Sequence, residues 1–304
     1  MDEIEKITEK YKPEYIGEAL QTLESLNQFA LIFFKDVAEI YDCLTRMKNP
    51  KRNPSGFMLD DAPILGLLVK VAKLMREVVA YYERDNAEVI GIIERPMIEA
   101  VVTAHYLMIT GPEVMFDYRK CAFKDRLRIL RNLKEGSPFY ETKAGKRLLR
   151  SVNDKLAIEG FTVDDFVEQK KNGWKLQNKR FFDIFAEIVD EDLYAATYGM
   201  MSESIHGSWA ESLDWCLRKQ DDKTYKPYLF SYPADIRFVG PTLRFCNPAF
   251  RLWLERIDCY DEDTRGLLDW IDLVNMRLFQ KFDSMFDDFK PPAEIVGCEP
   301  VDDE

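Results

Sequence analysis

Residues 88–110, EVIGIIERPMIEAVVTAHYLMIT, are apolar nearly all the way round. A helix of that composition is enclosed by other helices rather than laid on a surface, so the stretch predicts the centre of a helical core. Arg95, Glu99 and Thr103 recur in it every fourth residue, on the face that carries Ile98, Val102 and Tyr106. A polar stripe therefore runs along a core helix. Pro96 lies in its middle, where it removes one backbone hydrogen bond and crowds the preceding turn, so a kink is expected beside Arg95.

Periodicity outward from this helix points to further helices. Residues 13–48 carry an apolar stripe that includes Leu26, Phe33, Val37 and Tyr41. NPKRNPSG at 49–56 stops that helix, and a second is predicted from about Asp60 to Arg84, capped by Asp60 or Asp61 with Pro63 in its first turn. After Gly111-Pro112 one helix is expected over 113–135 and another from Ser137-Pro138 to about 158. Thr162 and Asp165 resemble a capping box for a short helix. Helices are predicted at 180–190 and 191–206, and again at 241–258 and 262–288. Residues 219–240 mix turn formers with aromatic residues and suggest irregular structure or a small hairpin. The expected architecture is an all-α multi-helix bundle, a single domain over 1–290, followed by a disordered acidic tail over 291–304.

Composition narrows the function classes. The 304 residues are 46% hydrophobic, ample for a sizeable core, and no run approaches the ~18 apolar residues of a membrane helix. Six cysteines are scattered without metal-site or disulfide spacing, which points to a reducing cytoplasm and to no structural metal or cofactor. A net charge of −12 argues against general nucleic-acid affinity, yet residues 119–150 hold eleven basic side chains against three acidic ones. With the loop at 170–180 they make a candidate RNA face through Arg126, Arg128, Arg131, Lys171 and an exposed Trp174. The alternative is a solvated helix face answered by acidic parts of the same molecule.

Candidate site residues come from two segments. Arg95 and Glu99 stand at i and i+4, a spacing that allows either a structural ion pair or an arginine offered to an anion in a cavity. His206, one of two histidines, ends a helix in SESIHGSW, with Ser202 one turn before it and Glu203 three residues before. A serine nucleophile is disfavoured, because no GxSxG elbow is present and one helix does not readily aim all three groups at one substrate. His105 has no second ligand one turn away and reads as a packed residue. Aromatic residues in the first and last helices, among them Phe33, Phe34, Trp253, Trp270, Phe279, Phe282 and Phe286, form either core or a homodimer face.

The phrases ERPMIEAVVTAHYLMITGPE, YRKCAFKDRLRILRNLKE and YGMMSESIHGSW resemble the bacterial family catalogued as domain of unknown function 5677, over about residues 85–215. Carried over by position, the resemblance marks Arg95, Glu99, Tyr118, Arg119, Ser202 and His206; it implies no activity. A more distant similarity is to HEPN-like helical bundles, which include ribonucleases of toxin and phage-defence systems. Their motif places an arginine four to six residues before a histidine, whereas Gly199, Met200 and Met201 fill that window before His206. Arg95 would have to supply the charge from another helix. Two functions are therefore expected: binding of a small anionic ligand or a protein partner in a polar pocket, or metal-independent RNA cleavage by His206 and Arg95.

Overall fold

A computed structural model describes residues 20–132 and 137–286. The chain is mostly helical, with one two-stranded sheet among the described residues. Five long helices build the main core: α1 (Leu23–Arg46), α2 (Ala62–Glu83), α3 (Ala87–Ile109), α13 (Gly240–Arg256) and α14 (Glu262–Phe286). Shorter pieces lie between α3 and α13. These are α4 (Pro112–Cys121), α5 (Lys124–Asn132), α6 (Pro138–Glu141), α7 (Lys143–Glu159), α8 (Val167–Lys171), α9 (Phe181–Ile188), α10 (Glu191–Tyr194), α11 (Met200–His206) and α12 (Trp209–Glu211). The chain then turns through an antiparallel hairpin of β1 (Leu217–Lys219) and β2 (Tyr225–Pro227), with Leu217 opposite Pro227.

α3 is the central element. It packs against α2, α9, α11 and α13, and it buries Ile90, Met97, Ile98, Val101, Ala104 and Leu107. The Asn86 side chain accepts from the Val89 N–H, which caps its start. The helix is continuous through Pro96. Around it α1 and α13 lock together through a stack of Tyr41 on Phe250, with ring centroids 4.4 Å apart. The Tyr41 hydroxyl donates to Asn247 Oδ1 (2.6 Å), so the one polar atom of that buried ring is satisfied.

The structure refines several expectations. Asp61 occupies the N-cap position of α2, yet its carboxylate takes Nε of Arg256 (2.7 Å) and makes no cap bond; pairing with a half-buried guanidinium outweighs a cap. The single helix expected over 113–135 breaks at Ala122-Phe123, because Phe123 turns into a second apolar cluster with Leu127, Val152, Leu156, Phe161 and Phe166. The Trp174 indole, expected on an exposed loop, is half-buried against Phe166 in that cluster, with centroids 5.9 Å apart. Phe33, Phe34, Trp253, Trp270 and Phe282 are buried in the main core and Phe279 packs against it, so these side chains serve the core. The side chains of Arg131, Glu203 and Phe286, the residues before 20 and the tail at 291–304 lie outside the described residues.

Candidate functional site

Helical periodicity carries Arg95 and Glu99 to one face of α3, where their side chains meet: Arg95 Nε stands 3.6 Å from Glu99 Oε1. The opposite wall comes from the segment 194–206. Here α10 passes into one π-helical turn, residues 195–199, before α11 resumes, an insertion that turns Tyr198 inward. The Tyr198 hydroxyl lies between the two α3 side chains. It accepts from Arg95 Nη2 at 3.0 Å and donates to Glu99 Oε1. The Arg95 guanidinium also stands 4.9 Å from the Tyr198 ring centroid.

His206 closes the cluster from the C-terminus of α11, where Gly207 at φ 62° caps the helix in the left-handed region that favours glycine. Its Nε2 lies 3.3 Å from Arg95 Nη1. A guanidinium has no acceptor, so a hydrogen bond across this gap needs the lone pair on Nε2 and the imidazole proton on Nδ1. The result is an open hollow of about 590 Å³ whose rim and floor include Ile92, Pro96 and Ile205. Arg95 is largely covered, with a side-chain exposure of 17%, whereas Glu99 is 41% exposed and His206 is exposed. Burial pushes the Tyr198 hydroxyl up to about 12, and its bond to Glu99 acts in the same direction. Tyr198 is thus a neutral donor that holds Glu99 and, through it, the orientation of Arg95.

The other residues marked in the sequence fall elsewhere. The Ser202 hydroxyl donates to the Tyr198 carbonyl one turn back (2.8 Å). Tyr118 and Arg119 line a separate depression of about 380 Å³ beside the start of α2, with Arg126, Lys155 and Glu159. There Arg119 Nε pairs with Glu159 Oε2 at 2.6 Å, a contact that ties α4 to α7. Two groups escaped notice in the sequence. Tyr198 shares a helical face with Ser202 and His206 through the spacing 198, 202, 206, a local signal that was available. Glu94, 2% exposed, lies on the buried side of α3 and accepts from the Thr242 hydroxyl at 2.5 Å. Among the described residues no group of three or more His, Cys, Asp or Glu side chains is placed to hold a metal ion. No helix among them is long and apolar enough to cross a membrane.

Residues 61–224, more than half of the chain, match a family of unknown function. The chain belongs to DUF5677. The DUF5677 span begins before and ends after the stretch 85–215 that the sequence phrases cover, and it includes every residue of the hollow. It omits α1, α13 and α14, which supply much of the core around α3. No curated protein and no solved structure matches the chain. Membership of DUF5677 assigns no reaction.

Proposed function

We propose that this protein is a cytoplasmic, prokaryotic-type binding module whose hollow around Arg95, Glu99 and His206 receives an anionic group of a small ligand or partner. The observation that carries the reading is the 3.3 Å approach of Arg95 to His206 in a hollow open to solvent. Glu99 and Tyr198 fix the guanidinium on one side, so an oxyanion that displaces His206 from Nη1 meets a fork already held in place. An arginine restrained in this way loses little side-chain freedom when an anion arrives.

The test is a calorimetric titration of the full chain with inorganic phosphate and with a short single-stranded RNA, comparing wild type with Arg95→Lys. Lysine keeps the charge but not the fork, so the reading expects binding to weaken about tenfold or more. Circular dichroism and the melting temperature report whether the variant stays folded. Equal binding by a folded Arg95→Lys protein would reject the site.

The same contact favours a second reading, a metal-independent HEPN-like ribonuclease of a toxin or defence system. Here the phosphate would sit between the two side chains and replace their direct contact. His206 would take the proton of the 2′-hydroxyl or deliver one to the leaving 5′-oxygen, and Arg95 would meet the charge of the phosphorane. Incubation with RNA in the presence of a chelator separates the readings. Cleavage that His206→Ala abolishes supports the nuclease; an intact substrate leaves binding as the function.

A further inference from the structure

A second cavity, of about 250 Å³, opens between α3, the α9–α10 corner and α13. Its walls are hydrocarbon, chiefly Val102, Ile188, Leu193 and Phe245. Two polar groups stand out among them, His105 and Arg244, and among the described residues no carboxylate lines the space. Among the described residues Arg244 has no ion pair; its guanidinium approaches only the Phe279 ring, 5.9 Å from the centroid. Burial lowers the basicity of His105, so its imidazole is present as the neutral donor. Every other lining group is apolar apart from Thr197, whose hydroxyl is already committed to the Leu193 carbonyl at 2.6 Å.

We propose that this crevice is a binding site for a small apolar monocarboxylate, its carboxylate against Arg244 and His105 and its hydrocarbon body against Val102, Ile188, Leu193 and Phe245. A cationic ligand would meet the guanidinium and find no compensating acid. A phosphate dianion would bring two charges to one arginine in an apolar wall, leaving part of its charge unpaired. A single carboxylate matches the arginine fork and adds one acceptor for the imidazole. The volume falls just below the ~300–1,000 Å³ usual for ligand pockets, which selects a fragment-sized molecule. This site is separate from the Arg95 hollow, although both draw a wall from α3.

The experiment is isothermal titration of the full chain with hexanoate, hexylamine and 1-hexanol. The expected result is saturable 1:1 binding of hexanoate, weaker binding of the alcohol and none of the amine. Arg244→Gln, an exposed position without an ion pair, should keep its circular dichroism spectrum and lose about tenfold or more in hexanoate affinity. Leu193→Trp, on an exposed face of α10, fills the crevice and should abolish binding. Inorganic phosphate, which the proposed function assigns to the Arg95 hollow, should not displace the hexanoate held at Arg244. The proposal is overturned if hexanoate does not saturate, or if the amine or the Arg244→Gln protein binds equally well. It is overturned also if binding survives Leu193→Trp, or if phosphate displaces the hexanoate, which would move the carboxylate to the other hollow.

Discussion

Arg95 Nη1 and His206 Nε2 lie 3.3 Å apart although 111 residues separate them in the chain. The contact joins the middle of the central helix to the end of a short one. It depends on everything between them, since the segment 112–199 must leave the core and return for α11 to lie against α3. The π-helical turn at 195–199 is the last adjustment before α11, and Tyr198 within it ties the two sides together.

Replacing Tyr198 by phenylalanine tests that tie. The ring contacts to Phe181 (4.6 Å) and Tyr194 (5.2 Å) remain, while the hydroxyl that satisfies Arg95 and Glu99 is lost. Glu99 is open enough for water to replace the lost donor, so the expected cost is about 1 kcal/mol rather than the larger penalty of an orphaned buried charge. Urea denaturation reads it, and the His206 imidazole resonances should broaden or move as Arg95 loosens. An unchanged spectrum would mean that Arg95 is held by other contacts.

The carboxylate of Asp61 makes a sharper case, because sequence and structure assign it different work. A cap would be kept by serine or by asparagine. An ion pair with Arg256 survives neither change, and Asp61 is only 8% exposed at its side chain. Asp61→Asn and Asp61→Ser should therefore both lower stability by about 1–2 kcal/mol, since each removes the charged partner of Arg256 and leaves its guanidinium the Asp60 carbonyl and solvent. A serine variant as stable as wild type would restore the capping role.

Close approach of α13 to α14 rests on Gly240. A Cβ there would stand 2.2 Å from Phe279 Cε2 and 2.8 Å from Asn275 Oδ1, and the Asn275 amide donates to the Gly240 carbonyl at 2.9 Å. Neither neighbour can retreat without disturbing the packing between the helices. Gly240→Ala is expected to cost about 1–3 kcal/mol, measured by thermal unfolding, despite the better helix propensity of alanine.

How far the sequence reached follows from the range of each signal. The long helices α1, α2, α3, α13 and α14 were legible because an apolar stripe repeats within a few residues. The break at Ala122-Phe123 was not, because the pull on Phe123 comes from Phe161 and Phe166, about forty residues away. Trp174 misled for the same reason: its neighbours are basic in sequence and aromatic in space. Arg95 and Glu99 were visible through their i, i+4 spacing, and His206 through its rarity. That Tyr198 would bridge the first two depends on a 103-residue return of the chain, which no local pattern encodes.

Glu94 supports a prediction in pH. It sits one residue before Arg95 but points to the other side of α3, fully enclosed, with the Thr242 hydroxyl as its partner. Loss of water raises its carboxyl from the ordinary 4.5 to about 8, and the Thr242 bond only partly offsets this. The acid is therefore protonated in the folded protein at neutral pH. Because the folded value lies above the unfolded one, its contribution is complete below about pH 4.5. It declines once the unfolded chain ionises and is fully lost above about pH 8, where the folded state must either bury a charge or give up the packing. Glu94→Gln keeps the shape and a partner for Thr242 and removes the titration. The variant should match wild type near pH 4 and become relatively more stable with rising pH, by up to about 5 kcal/mol near pH 9. Parallel urea titrations at three pH values measure the difference. A stability gap between the two proteins that stays constant with pH would show that Glu94 ionises normally, and that the interior beside α3 is wetter than its packing indicates.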